Sequence, residues 1–206
     1  MTHLPHVTLN LKRVCADTRP MYGLVNQAVA DLVATEWDDA TWNAIRAQAG
    51  IDEDRFIATH RYDDQVTYRL VEAASEVLGV DTQKILEAFG RHWILFTGAK
   101  GWGPTLDAAG DTLLEVLQNL DALHGRVSIT MPGAEMPSFD VEQRDDNTLL
   151  VQYLSRRPGL APMAVGLLQG LGERLGDPHE VAEVSASVSE GLHVHKFLAS
   201  PSPSPA

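Results

Sequence analysis

Apolar residues recur every three or four positions from residue 21 to about residue 130, the spacing of helices that bury one face. This spacing predicts helices over Tyr22–Ala34, Thr41–Gln48 and Asp64–Leu78. Asp81 is suited to cap a fourth helix, because its short carboxylate can accept a hydrogen bond from the first turn. The apolar face of that helix consists of Ile85, Phe89, Trp93 and Phe96.

A long helix is predicted from about Leu106 to Ile129, after the glycines between Gly98 and Gly103 interrupt the pattern. Its apolar stripe consists of Leu113, Leu117, Leu120, His124 and Val127. Pro132 and Gly133 follow it and end it.

The period then changes to the alternation typical of strands. Strands are predicted over Ser138–Gln143 and Leu149–Leu154, followed by a glycine-rich helix over Pro162–Leu175 and a hairpin of Val181–Val188 and Leu192–Leu198. Helices followed by antiparallel strands indicate an α+β fold rather than a regular βαβ alternation. We therefore expect a mainly helical N-terminal part packed on a four-stranded antiparallel sheet.

The ends of the chain lack such patterns. Residues 1–20 show no sustained period and are interpreted as an N-terminal extension, with the domain itself spanning residues 21–199. Residues 200–206 are Pro- and Ser-rich and read as a disordered tail. The N-terminus has no continuous apolar segment of the kind found in secretion signals, so a cytoplasmic location is the expectation.

Composition narrows the possible partners. The formal net charge is -12, and an acidic surface repels nucleic acid phosphates and anionic lipids, so neither nucleic acid nor a membrane surface is expected to bind. Cys15 is the sole cysteine, which excludes an internal disulfide and any cysteine-rich zinc or iron–sulfur site. His193 and His195 share a strand face, but two ligands are too few for a metal site.

His124 stands in the apolar stripe where a leucine is expected. A buried imidazole must be neutral or paired, since burying a charge is costly. It is therefore either a core histidine bonded to a nearby carbonyl or a metal ligand, for which neutral imidazole is the commonest side chain. A single histidine in apolar surroundings suits a heme iron, to which the porphyrin supplies the other four ligands.

A second candidate group lies at the end of a predicted strand. Alternation places Tyr153, Ser155 and Arg157 on one face. Two hydroxyls and a guanidinium that converge can bind a carboxylate or phosphate. The alternative is a polar strand face in water.

These residues and several further segments resemble the heme-nitric oxide/oxygen binding (H-NOX) family, and in particular the regulatory heme domain of soluble guanylate cyclase. The resemblance covers nearly all of the chain from Met21 to Leu198. The segments are MYGLVNQAV, YDDQVTYRLVEAASEVL, ILEAFG, LQNLDALHGRV, PGAEMPSF and YLSRRPGLAPMAVGLLQG. Among them, the Tyr-x-Ser-x-Arg pattern with a Leu-His about thirty residues before it is the most specific.

The resemblance implies a role for each candidate residue. His124 matches the proximal ligand of heme b, iron protoporphyrin IX, buried between the helical part and the sheet. Tyr153, Ser155 and Arg157 match the residues that hold the heme propionates. Pro132 is matched to a proline whose packing bends the porphyrin.

The resemblance also bears on the gas that binds. Oxygen on a ferrous heme is stabilised by a nearby hydrogen-bond donor, and oxygen-binding relatives have a tyrosine at the position matched here by Met163. A thioether donates no hydrogen bond, and Val25 is expected to line the same pocket. The expected ligands are therefore nitric oxide and carbon monoxide, with oxygen rejected. Trp93 matches another position on the gas-binding (distal) side of the heme. Because its indole N–H can donate a hydrogen bond to oxygen, an oxygen-binding sensor is the alternative.

The expected output is regulation of a separate signalling protein, such as a histidine kinase or a cyclic-di-nucleotide enzyme, because the 206 residues leave no room for an output domain. The resemblance implies that nitric oxide weakens the bond between the iron and His124 and shifts the first helix. No enzymatic activity is expected. Two other readings stay open: an enzyme that uses His124 as a general base, and a heme-free interaction module.

Overall fold

The computed structural model describes residues 19–202. The predicted N-terminal extension up to residue 18 and the last four residues of the predicted tail lie outside them. The helices are α1 Gly23–Glu36, α2 Asp39–Ala49, α3 Asp64–Leu78, α4 Thr82–Thr97, α5 Gly103–Asp107, α6 Leu113–Thr130 and α7 Ala161–Leu175. The strands are β1 Pro20–Tyr22, β2 Arg61–Asp63, β3 Ser138–Gln143, β4 Leu149–Ser155, β5 His179–Ser189 and β6 Leu192–Pro201.

Side-chain caps fix where three of these helices begin. The carboxylates of Asp38, Asp63 and Asp81 each accept a hydrogen bond from a backbone N–H in the first turn of α2, α3 and α4. Such a cap satisfies a donor that has no partner within the helix. The predicted cap at Asp81 and the predicted bounds of α3 are confirmed.

The prediction of one long helix from Leu106 is wrong. A π-helical turn, Gly98–Trp102, and the short helix α5 come first, and α6 begins only at Leu113. The chain breaks at Gly110, whose φ of 152° disfavours any residue with a side chain. Thr112 then starts α6 by accepting a hydrogen bond from the N–H of Glu115.

The four longer strands form one antiparallel sheet in the order β3-β4-β6-β5. Two hairpins, β3–β4 and β5–β6, pair through their second strands, with Tyr153 opposite His195. The α+β prediction is confirmed. β6 extends to Pro201, with Ser200 opposite Glu180, so the sheet includes the first two residues of the predicted tail.

The short strands β1 and β2 were not predicted. They pair antiparallel, with Met21 opposite Tyr62, just before α1 and α3. Pro20 lies in β1, and the carbonyl oxygen of Arg19 accepts a hydrogen bond from Asp64 N–H at 3.1 Å. The ordered fold therefore begins before the predicted border at Met21.

Two apolar cores fill the molecule. One lies among α1, α2, α3 and α4, and the other lies among α6, α7 and the inner face of the sheet. Trp93 on α4 packs against both. Within residues 19–202, no helix combines the length and apolar character needed to cross a membrane.

Helices α4 and α7 approach each other backbone to backbone. A Cβ atom on Gly166 would overlap the backbone oxygen of Glu87, and a Cβ on Gly90 would overlap the backbone oxygen of Met163. Glycine is thus required at this crossing for the contact itself. The close contact fixes the position of Met163 relative to Trp93.

We expect Gly166→Ala to lower the free energy of unfolding by about 1–3 kcal/mol, because the added methyl group must push two backbones apart. Gly125→Ala is the matched control: its Cβ would meet nothing within 4 Å, so alanine should stabilise α6 by about 0.5–1 kcal/mol. Urea denaturation of the two variants measures the difference. Equal stabilities would show that the α4–α7 contact is not tight.

Candidate functional site

An apolar cavity of about 260 Å³ lies between the two cores. Protein interiors are close-packed, and a space of about 10–15 Å³ already holds a water molecule, so this cavity is no packing defect. Helices α1, α3, α4 and α7 form one wall, and α6, the loop after it and the strands β3 and β4 form the other. A ligand that fills such a space restores the contacts its lining lacks.

His124 projects from α6 into this cavity. Its Nδ1 is buried and makes no hydrogen bond of acceptable geometry, although the carbonyl of Pro137 lies close enough to favour the protonated ring. Burial lowers the pKa of His124 below its ordinary value of about 6.5, against the opposing influence of Asp121 and the Pro137 carbonyl. The imidazole is therefore neutral at pH 7, as a metal ligand must be.

Strand β4 brings the predicted anion-binding group to the same cavity. Tyr153 and Ser155 are buried on its inner face, and Arg157 is buried two residues further on. The backbone N–H of Arg157 donates to Ser155 Oγ at 3.1 Å. Burial raises the pKa of Tyr153, while Ser155 and Arg157 act in the opposite direction. The phenol is therefore un-ionised at neutral pH and can donate a hydrogen bond.

The guanidinium of Arg157 joins segments that are far apart in the sequence. One terminal nitrogen donates to the backbone oxygen of Glu135 at 2.7 Å, and the other donates to the backbone oxygen of Pro20 at 3.1 Å. Its Nε has no hydrogen-bond partner and lies 3.9 Å from Asp64 Oδ2. Arg157 thus stands at the rim of the cavity, held between β1 and the loop after α6.

The opposite wall carries the three residues expected on the distal side. Val25 of α1, Trp93 of α4 and Met163 of α7 all line the cavity. The Trp93 ring packs 6.3 Å from Phe89 and 6.2 Å from Phe96, measured between ring centroids. These contacts support a packing role for its indole.

Pro132 is not among the residues that line the cavity, and its role in bending a porphyrin stays a prediction. It lies exposed after the end of α6, and its carbonyl oxygen accepts a hydrogen bond from Tyr22 Oη at 2.9 Å. Pro137, five residues later, lines the cavity and has its carbonyl beside His124. The sequence offers two prolines in this loop, and only the path of the backbone decides which one faces inward.

Sequence reasoning also missed Asp64 and Tyr68. Asp64 was read only as a helix-start residue, but its carboxylate is buried, which raises the pKa of Asp64 despite the nearby Arg157. Tyr68 lines the cavity, and its hydroxyl donates to the carbonyl of Pro158 at 2.8 Å. The Tyr-x-Ser-x-Arg pattern gives no signal for either residue, because both lie on α3.

The histidines between Arg19 and Ser202 are also candidate ligands of a second metal site. Between Arg19 and Ser202, no three side chains of His, Cys, Asp or Glu are grouped to hold a metal ion. His195 instead pairs with Glu183 at 2.7 Å.

The Haem-NO-binding family model matches residues 22–183, which is most of the chain and includes both walls of the cavity. The chain belongs to the Haem-NO-binding family. Soluble guanylate cyclase gcy-32 of Caenorhabditis elegans is 28% identical to it over 178 residues, which cover 85% of this chain and 26% of that protein. The chain thus spans about a quarter of the length of the curated relatives it matches.

Solved H-NOX structures share the fold. A triple mutant of an H-NOX protein from S. oneidensis in the Fe(II) state has a TM-score of 0.78 at 16% identity, covering 90% of this chain and 98% of its own. An oxygen-binding H-NOX domain related to soluble guanylate cyclases, solved as an oxygen complex, has a TM-score of 0.74 at 20% identity, covering 89% and 96%. The α+β arrangement found here is therefore the H-NOX fold.

We expect Arg157→Lys to loosen β1 and the loop after α6, because one ammonium cannot span the carbonyls of Pro20 and Glu135. Losing a charged hydrogen bond worth about 1.5–3 kcal/mol should speed amide hydrogen exchange in β1 roughly tenfold or more. The exposed neighbour provides the control, since Arg156→Lys should leave exchange there unchanged. If both variants match the unmodified protein, Arg157 does not hold these segments together.

Proposed function

We propose that this chain is a heme-based gas sensor domain that binds nitric oxide and carbon monoxide at a ferrous heme b ligated by His124. The observation that carries the proposal is a neutral imidazole in an apolar cavity that also ends in a buried guanidinium and two hydroxyls. The imidazole suits the iron of a heme, and the guanidinium with the two hydroxyls suits the two carboxylates of a heme. An ordinary core histidine needs neither a cavity nor an anion-binding group.

The residues present fit this cofactor. His124 would ligate the iron of a bound heme, which would supply the metal that binds the gas. The buried Nδ1 of His124 makes no hydrogen bond, but the Pro137 carbonyl lies close enough to orient the ring. Arg157, with an unpaired Nε, and the hydroxyls of Tyr153 and Ser155 would hold the propionates. Pro137, which lines the cavity with its carbonyl beside His124, would also contact the bound group.

The distal wall supports rejection of oxygen. Val25 has no polar atom, and the thioether of Met163 donates no hydrogen bond. Nitric oxide and carbon monoxide depend less on a donor than oxygen does, so an apolar wall favours them. Trp93 supports the alternative of an oxygen sensor, because it lines the same cavity and carries an N–H.

The contacts around the cavity offer a route for a signal. The loop after α6, the helix that carries His124, is tied to β1 by Tyr22 Oη–Pro132 O at 2.9 Å and by the ion pair of Arg19 with Glu135 at 2.8 Å. α1 follows β1 directly and lines the distal wall. A displacement of α6 would therefore be transmitted through this loop and β1 to α1.

The proposed receiver is a separate cytoplasmic signalling protein, such as a histidine kinase or a cyclic-di-nucleotide enzyme. The match to a heme-binding domain rather than a catalytic one supports a regulatory role for this chain. The full-length relatives are guanylate cyclases, of which this chain matches about a quarter.

The ligand role of His124 is tested by His124→Gly, with the exposed His60→Ala as control. The unmodified protein and the control should bind one heme per chain and give a five-coordinate ferrous spectrum. His124→Gly should lose this spectrum, and added imidazole, which fits the space left by the ring, should restore it. Heme binding that is unchanged in His124→Gly, or absent from the unmodified protein, would refute the proposal.

The distal wall is tested by Met163→Tyr, with Met163→Leu as control. The new hydroxyl should raise oxygen affinity roughly five- to tenfold, since one neutral hydrogen bond is worth about 1–1.5 kcal/mol, and Met163→Leu should change little. Oxygen and nitric oxide titrations of the reduced proteins measure the effect. Tight oxygen binding by the unmodified protein would favour the oxygen-sensor alternative, and Trp93→Phe would then identify the donor.

A further inference from the structure

Among residues 19–202, no strand pairs with the outer side of β5, so its C-terminal half is an open sheet edge. β5 is the last strand in the order β3-β4-β6-β5, and residues 183–189 are exposed along its length. Val184, which lies at a β-bulge, and Val188 are 55% and 63% exposed. Only the first part of β5, near His179, is buried.

This edge lacks most of the features that keep strands from pairing with other chains. Natural edges are usually protected by lysine, proline, inward-pointing charges or a covering helix. From Val184 to Ser189 the strand contains neither a charged residue nor a proline. One β-bulge, between Glu183 and Ser185, adds local twist and limits how far a ladder could extend toward His179.

The exposed segment has a sequence that is its own mirror image. Residues 184–188 read Val-Ser-Ala-Ser-Val, symmetric about Ala186. In an antiparallel pair of two copies centred on Ala186, Val184 of each copy faces Val188 of the other and Ser185 faces Ser187. Beyond this segment Glu183 faces Ser189, so like charges do not oppose each other. A two-fold interface requires such self-complementarity.

We propose that β5 is a self-association edge, through which two copies of this chain pair antiparallel about Ala186 and join their four-stranded sheets into one of eight strands. The pairing supplies partners for the open backbone groups of the edge and covers both exposed valines. Five residues from each copy make a small interface, so the dimer is weak and depends on concentration. Because the two-fold contact uses this edge in both copies, assembly by this edge stops at the dimer.

The oligomeric state of the full chain tests the proposal. Sedimentation velocity over a ~100-fold range of concentration should show a monomer–dimer equilibrium. The double variant Val184→Lys, Val188→Lys places lysines opposite each other and should weaken the dimer at least tenfold. Val77→Lys, at an exposed valine on α3, should not weaken it. The proposal is overturned if the unmodified protein stays monomeric at every concentration. It is also overturned if the double lysine variant dimerises as strongly as Val77→Lys.

Cross-linking tests the register. In a Cys15→Ser background, Ala186→Cys should oxidise to a disulfide-linked dimer, because directly opposed Cβ atoms lie about 4.5–5.5 Å apart and small shifts bring them within bonding range. Ser189→Cys, which would face Glu183, should cross-link at least tenfold more slowly. Equal rates for the two variants would exclude pairing centred on Ala186.

Discussion

The fold depends on the hydrogen bonds made by one buried cation, the guanidinium of Arg157. A guanidinium inside a protein must find acceptors for its N–H groups, and Arg157 finds them on the backbones of Pro20 and Glu135. These bonds close the rim of the cavity by joining the start of the chain to the loop that follows α6. These bonds therefore link the two segments that border the cavity between the two apolar cores.

The distal wall depends on a different constraint. Glycines at the α4–α7 crossing allow two helices to touch through their backbones, which leaves no freedom for either helix to slide. Met163 and Trp93 take their positions from that contact. The wall formed by α4 and α7 is thus closely packed, whereas the wall that carries His124 is connected through loops and a three-residue strand. Motion is expected in the second wall.

Sequence patterns predicted elements that carry their own local signals. The bounds of α3 are set by the Asp63 cap and by Gly79 in the left-handed conformation, both visible in the sequence. The predicted start of α6, Leu106, was wrong. Leu106 and Leu113 are seven residues apart, which equals about two helical turns, so the apolar period continues through the break at Gly110. β1 and β2 are too short to show a period. Contacts such as that of Arg157 with Pro20, 137 residues apart, leave no pattern.

The pleat of β4 has an evolutionary consequence. Tyr153 and Ser155 face the cavity because they are two residues apart, while Leu154 points to the other face and Arg156 is exposed. Inserting or deleting one residue between Leu149 and Tyr153 would turn both hydroxyls away at once, and a change between Tyr153 and Ser155 would turn one of them away. Substitutions at the intervening positions keep Tyr153 and Ser155 two residues apart. The turn at Asp145–Asn147 can change length without altering that spacing. Length changes in this lineage should therefore collect in the hairpin turns and be absent from β4.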